Sequence, residues 1–237
     1  MIAQTGEMLR ITDLHAFYGE SHILHGIDLR VDEGELITLL GRNGSGRSTT
    51  IKAIMGLVGR RTGSVMVNGV ETTPLAPHAI ARLGLGYCPE ERGIFSGLTT
   101  EENLMLPPIV RSGGMTLQEI YAVFPNLHER RASPGMRLSG GEQQMLAMAR
   151  ILRTGARLLL LDEITEGLAP VIVKKLGEVI RLLKKRGYTI VLVEQNFRFA
   201  APLADRHYVL EHGRIVATVD KDELDAKTGM LHELLGV

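Results

Sequence analysis

Residues 36–49 read LITLLGRNGSGRST, a short apolar run that breaks directly into a glycine-rich turn. The run, residues 36–40, is brief and continuous, the pattern of a strand buried on both faces. The turn at 41–49 differs by one letter from the phosphate-cradling pattern G-x-x-x-x-G-K-[ST], because Arg47 stands where lysine is expected. Residues 48–58 then carry Ile51, Ile54, Met55 and Val58 at helical spacing and stop at Gly59. Strand, glycine loop and helix in that order leave backbone amides free to converge on phosphate oxygens at a helix N-terminus. Ser48 is placed to offer its hydroxyl to Mg²⁺. Tight strand-to-helix turns also favour glycine, so the flanking elements carry this reading more than the glycines do.

Arg47 keeps the charge of the expected lysine but replaces a compact ammonium with a broad planar fork. Backbone amides and Ser48 supply much of the cradle. Binding is therefore expected to survive, weakened by ~1–3 kcal/mol, the scale of one charged hydrogen bond. Turnover is more sensitive, since a misplacement of ~1 Å can cost ~10²-fold in rate.

Outward from the loop, short apolar runs alternate with helical patterns, which signals a largely parallel sheet covered by helices. Residues 64–67 with the turn Asn68-Gly69 read as part of a hairpin, and 85–88 as a strand. LLLLD at 158–162 and TIVLVE at 189–194 are the strongest central strands, with a helix at 171–186 between them. The alternation ends with 207–210, a turn at His212-Gly213, and 215–219. The middle differs: 99–106, 116–124 and 140–153 are helical patterns with no strand among them, and Thr116 with Glu119 forms a capping-box pattern. An all-helical insert over roughly 92–154 thus interrupts an α/β core at 1–91 and 155–237.

The totals narrow the function. In 237 residues, 27 basic and 27 acidic side chains cancel, so no global field draws the chain to nucleic acid or anionic lipid. The dense basic run at 184–186 is short. Cys88 is the only cysteine, which excludes an intramolecular disulfide and fits a reducing compartment. MIAQTGEMLR, residues 1–10, contains acid and lacks a continuous apolar core, so no signal peptide is expected. The aliphatic runs fall far short of the ~20 residues of a membrane span. The expectation is a soluble cytoplasmic protein whose membrane association comes through a partner.

LLLLDE ends a buried strand with two adjacent carboxylates. Strand alternation sends Asp162 and Glu163 in different directions and so to different tasks. Asp162 suits Mg²⁺, and Glu163 suits polarising an attacking water. LSGGEQQMLAMAR at 138–150 supplies a second anion-binding helix start, with bare amides and the Ser139 hydroxyl. One loop cannot use both sites on a single nucleotide unless two subunits pair head to tail. Ser139 is equally suited to cap its helix, which does not explain a Gly-Gly pair followed by Glu-Gln-Gln.

Together these segments resemble the ATP-binding-cassette family over essentially the whole chain, with LSGGEQQ matching its signature motif. The resemblance implies a P-loop NTPase (RecA-like) α/β core with an antiparallel β subdomain and an inserted α-helical subdomain that carries the signature. It makes Tyr18 the adenine-stacking aromatic. The nucleotide loop comprises Gly41, Asn43, Gly44, Ser45, Gly46, Arg47, Ser48 and Thr49. Asp162 ends the Mg²⁺-binding strand, Glu163 is the catalytic glutamate, and Ser139, Gly140, Gly141 and Glu142 form the signature contact. ATP and Mg²⁺ are the implied cofactors, held in a sandwich dimer with a second ATP-binding subunit. LGRNGSGRSTT, ERGIFSGLTTEENL, TEGLAP and LVEQN look like the ATPase subunits of branched-chain amino acid importers, whose relatives serve amides and urea. Such subunits sit on the cytoplasmic face of the inner membrane, bound to transmembrane permease subunits and served indirectly by a solute-binding protein. No nucleic acid is implied.

Four positions depart from the wider family. Arg47 replaces lysine, and Glu90 stands at the glutamine that senses Mg²⁺ and the permease. Ile164 replaces a common proline and is expected to loosen the turn into residues 166–169. Gln195 stands at the switch histidine; an amide can bond a γ-phosphate but cannot carry imidazolium charge. Glu90 and Gln195 are usual in this subfamily, so the odd letters are Arg47 and Ile164. They leave two functions open: a transport ATPase, or an ATP-held clamp with little turnover. Soluble cassette proteins of DNA repair or translation fit poorly, lacking here the coiled-coil insertion or second cassette. Permease docking is expected near 90–96. The eight histidines show no metal-ligand spacing and are expected mostly at surfaces and turns.

Overall fold

Runs of β-branched and aliphatic residues become buried strands, and the periodic segments between them become helices that cover the sheet. The computed structural model describes residues 6–236; the first five residues of the stretch read for a leader, and Val237, lie outside the described residues. In chain order the elements are β1 (Glu7–Tyr18), β2 (Ser21–Asp32), β3 (Leu36–Gly41), α1 (Arg47–Ile54), β4 (Arg60–Val67) and β5 (Val70–Glu71). Next come α2 (Pro77–Ala81), β6 (Leu85–Cys88), α3 (Thr100–Met105), α4 (Leu117–Val123), α5 (Pro125–Glu129) and α6 (Gly140–Arg153). The chain continues with β7 (Leu158–Asp162), α7 (Pro170–Lys185), β8 (Thr189–Val193), α8 (Phe197–Ala200), β9 (Arg206–Glu211), β10 (Arg214–Asp220) and α9 (Leu224–Leu235).

A six-stranded sheet has the order β10-β9-β3-β8-β7-β6. From β9 to β6 every pairing is parallel, and only β10 runs antiparallel, at the edge. Leu39 and Asp162 both register with Val193, so the carboxyl ends of β3, β8 and β7 lie side by side. In parallel α/β sheets the crevice beyond these ends is where ligands bind. A second, antiparallel sheet, β2-β1-β4-β5, covers one side.

Alternation sorts the central strands onto two cores. Leu36, Leu40, Leu159, Leu161, Ile190 and Leu192 pack with Leu104, Phe124, Leu146 and Leu176, so the helical stretch between β6 and β7 shares a core with one sheet face. Ile37, Leu39, Leu158, Leu160, Val191 and Val193 pack instead with Ile51 and Ile54 of α1 and with Leu9 and Ile27 of the antiparallel sheet. Both capping residues Thr99 and Thr116 accept from the amide three residues on, and Glu102 and Glu119 reciprocate, which starts α3 and α4.

Several sequence readings shift. The hairpin read at 64–67 is longer: β4 begins at Arg60, pairs with β1, and turns into β5 through Asn68 and Gly69, both at positive φ. β1 and β2, twelve residues each, carry register shifts that interrupt strict alternation, which hides them in the sequence.

The histidines lie mainly at or near the surface, and His207 is the exception. His207 is fully buried, its Nδ1 2.7 Å from Thr38 Oγ1. On the β1–β2 hairpin, His15 Nδ1 and His22 Nε2 are 3.0 Å apart, and the His22 and His25 ring centroids are 4.0 Å apart. Among the described residues, no group of three or more His, Cys, Asp or Glu side chains is arranged to hold a metal.

Burial pushes the His207 imidazole down from 6.5 to about 4. The unfolded chain therefore takes up a proton that the folded chain refuses, and stability falls as pH drops through the window between those values. The full loss is ~3 kcal/mol, from a 1.36 kcal/mol value per pKa unit. Chemical denaturation at several pH values should show this acid slope flattened in His207→Gln relative to wild type.

Candidate functional site

Gly41 ends β3 at φ 153°, and a Cβ there would meet Leu210 O at 2.4 Å and Ser45 Oγ at 2.6 Å. Glycine is required because the loop folds back against β9. Gly46, at φ 106°, is the residue from which α1 starts, so Arg47 and Ser48 occupy its first turn. Asn43, Gly44, Ser45, Gly46, Arg47, Ser48 and Thr49 line a cavity of ≈ 410 Å³, closed on other sides by Ile23, Glu90, Glu163 and Glu166.

Two adjacent carboxylates meet two adjacent residues of the loop. Ser48 Oγ donates to Asp162 Oδ1 at 2.9 Å, and Tyr87 OH reaches Asp162 Oδ2 at 3.3 Å. Arg47 Nη2 donates to Glu163 Oε1 at 2.7 Å and to Asn43 Oδ1 at 3.2 Å. The expectation that alternation would part the two carboxylates is corrected here. Glu163 adopts φ 45°, a left-handed conformation that turns its side chain back to the loop beside Asp162.

The pair is shielded from water. Arg47 is 4% and Glu163 13% exposed at the side chain. Burial pushes the Glu163 carboxyl up, Arg47 pulls it down, and the neighbouring Glu166 and Asp162 charges push it up again. Asp162 is likewise raised, first by burial, against the bond from Ser48. Glu90 is raised by burial and by Glu166 and Glu163, so three carboxylates face one another at the rim. A cation placed among them relieves that repulsion.

The residues fit a phosphate ligand. Ser45 Oγ and Arg47 Nη1 are buried and have no hydrogen-bond partner among the described residues, and both residues line the cavity. Buried donors of this kind call for an acceptor.

Other sequence-predicted residues lie apart from the cavity. Tyr18 is 42% exposed and Gln195 is exposed; neither lines it. Ser139 and Glu142 line a different groove, with Met145, Val171 and Ile172. Ser139 caps α6: Glu142 N–H donates to its hydroxyl, and Glu142 Oε2 accepts from Ser139 N–H. The Gly-Gly pair also has a packing reason, since a Cβ on Gly141 would meet Ile172 at 2.9 Å.

Ile164, the departure expected to loosen its turn, packs inward. It is fully buried, and Thr165 is bonded to Glu194 through both its amide and its hydroxyl. Glu194 and Tyr87 join the surroundings of the site, though no motif in the sequence marks either as a site residue. An acidic residue closing an apolar strand, as in LLLLDE, is the signal that could have found Glu194 in TIVLVE.

A parallel sheet, a glycine loop between β3 and α1, and two carboxylates facing that loop define a P-loop nucleotide-binding protein. Comparison with known proteins makes the family specific: the ABC transporter family matches residues 24–166. The chain belongs to this family. It is 41% identical over 212 residues to the high-affinity branched-chain amino acid transport ATP-binding protein BraG of Pseudomonas aeruginosa, covering 88% of this chain and 91% of that one. It is 40% identical over 225 residues to the probable branched-chain amino acid transport ATP-binding protein LivF of Archaeoglobus fulgidus, covering 92% and 94%. Lipopolysaccharide export ATP-binding protein LptB of Escherichia coli is 31% identical, with 88% and 89% covered. Among solved structures, a dimeric ATP-binding cassette in a post-hydrolysis state bound to ADP and Pi superposes with a TM-score of 0.79 at 25% identity, covering 90% and 99%.

Gly41→Ala combines backbone strain with a main-chain collision, each on the order of 1–3 kcal/mol. Thermal unfolding should show Gly41→Ala destabilised by at least ~2 kcal/mol, while an alanine at Gly34, where a Cβ meets nothing within 4 Å, stays within ~1 kcal/mol of that position's own backbone strain.

Proposed function

We propose that this protein is the ATP-hydrolysing subunit of an importer for branched-chain or other amino acids, working on a separate membrane permease. The observation that carries the hydrolytic part is that Arg47, Ser48 and Glu163 line one cavity, Arg47 bonded to Glu163 and Ser48 to Asp162. The similarity to BraG and LivF supports the substrate class. Among the described residues no helix is long and apolar enough to cross a membrane, which suits a subunit held peripherally at the cytoplasmic face.

On this reading the loop amides, Ser45 and the unpartnered Nη1 of Arg47 grip the triphosphate, and Ser48 with Asp162 hold Mg²⁺, with Glu90 at the rim. Bound Mg²⁺ would neutralise charge on the phosphates and on the leaving group. Glu163 accepts a proton from the attacking water once Arg47 releases it. Breaking the Arg47–Glu163 pair without replacement would cost ~3–5 kcal/mol, as for other buried pairs. Phosphate oxygens offer that replacement, so Arg47 exchanges one anion for another and frees Glu163, made more basic by the loss of its cation, to take the proton.

Ser139, Gly140, Gly141 and Glu142 do not line this cavity, so a second ATP-binding subunit supplies its signature helix start to the nucleotide. Tyr18 and Gln195 join from their exposed positions, stacking on adenine and bonding the γ-phosphate. Residues 92–154 serve as the helical subdomain on a core of 1–91 and 155–237, and the permease docks near 90–96.

The alternative, a clamp without useful turnover, draws on the same Arg47–Glu163 pair, which occupies the base. Steady-state phosphate release separates the two. Wild type should turn over measurably, Glu163→Gln should lower the rate by at least ~10²-fold, and Arg47→Lys should equal or exceed wild type. Equal background rates in wild type and Glu163→Gln would favour the clamp. Co-purification with a polytopic membrane protein, rather than with DNA or ribosomes, tests the transport assignment.

A further inference from the structure

Glu194 stands at the end of β8 and is 2% exposed, an unusual place for a carboxylate with no cation in contact with it among the described residues. Its Oε1 accepts the Thr165 amide at 3.2 Å, and its Oε2 accepts the Thr165 hydroxyl at 2.9 Å. The Asn196 main-chain amide faces the same carboxylate. Its own amide points to Leu39 O, at 3.4 Å, on the strand that feeds the glycine loop.

One residue earlier, Val193 O accepts the Glu163 amide at 3.0 Å. Both ends of the turn from Glu163 to Thr165 are therefore fastened to consecutive residues at the end of β8. Glu163 needs such fastening, because φ 45° is a conformation that surrounding structure must impose on a residue other than glycine.

We propose that Glu194 is a positioning residue for hydrolysis: by holding Thr165, it keeps the turn after β7 folded so that Glu163 faces the phosphate loop, and it sets that turn against the 195–196 segment. This rests on the ATPase reading above. Glu194 touches neither the cavity nor the reacting atoms.

The bonds from Thr165 and Asn196 favour its ionised form, while burial and the nearby Glu163 charge oppose it and push its carboxyl up to about 7. The charged neighbour is Glu163, itself paired with Arg47. Protonation puts an O–H where an acceptor is needed, so the grip on Thr165 weakens as pH falls through neutrality.

The test uses the purified full chain, with MgATP turnover, MgATP affinity by calorimetry and Tm measured on each variant. Glu194→Ala should lower kcat ~10- to 100-fold, the scale of a sub-ångström to ~1 Å misplacement, while Kd stays within about twofold. Glu194→Gln, which like the protonated carboxyl keeps one acceptor and places a donor at the other, should turn over at the low-pH level of the wild type, above Glu194→Ala, and show a pH profile lacking the wild-type fall near pH 7. Thr165→Val should lower kcat, and the double variant Thr165→Val/Glu194→Gln should be no slower than the slower single variant.

Unchanged kcat in Glu194→Ala, or additive losses in the double variant, would overturn the proposal. So would a kcat loss accompanied by equal losses in affinity and Tm, which marks a merely structural carboxylate. If Glu194→Ala does not fold, Glu194→Gln and Thr165→Val still decide the matter through pH profile and coupling. A wild type that neither binds MgATP nor responds to Glu163→Gln would remove the ATPase reading itself, an outcome distinct from an active enzyme indifferent to Glu194.

Discussion

The parallel register of β3, β8 and β7 is the constraint on which the site depends. Because Leu39 and Asp162 both align with Val193, the three chain segments leaving these strands emerge at one edge within reach of one another. The glycine loop leaves β3, the Glu163 turn leaves β7, and the Glu194–Asn196 segment leaves β8. A slip of one residue in any of these pairings would exchange the sheet faces and send the carboxylates away from the loop. Two cores, one on each face, oppose such a slip, since each strand buries side chains on both sides.

Within that frame, the substitution of arginine for lysine reshapes the charge balance. The planar fork of Arg47 reaches Asn43 and Glu163 with one nitrogen and leaves Nη1 buried without a partner among the described residues. A carboxylate and a phosphate can thus compete for the same guanidinium, with geometry that a single ammonium does not offer. Burial raises Glu163, and Arg47 lowers it. Occupation of the loop by an anion therefore changes both the freedom and the basicity of the carboxylate opposite.

Much of the framework is legible in the sequence. LLLLD and LGYC map onto β7 and β6 residue for residue, and the helix read at 140–153 is α6 with the same bounds. Such segments are read easily because both faces are buried, or because a cap marks the start. β1 and β2 were missed for the opposite reason: their register shifts break the period of two, and one face of the pair meets solvent. The burial of His207 is hidden in the sequence because its partner, Thr38, lies 169 residues away. Gly141 was read for its bare amide, while its contact with Ile172 also excludes a side chain there.

The order of letters along the chain decided that a phosphate loop, an acidic strand end and a signature helix are all present, because each is a local pattern of backbone freedom, capping and hydrophobic period. It decided nothing about which of them meet. Strand order, the left-handed turn that brings Glu163 back beside Asp162, the closure of Arg47 onto that carboxylate and the burial of Glu194 over Thr165 arise from contacts between residues far apart in the chain. Those contacts exist only once hydrophobic burial has fixed the register of the sheet, so they belong to the tertiary structure alone.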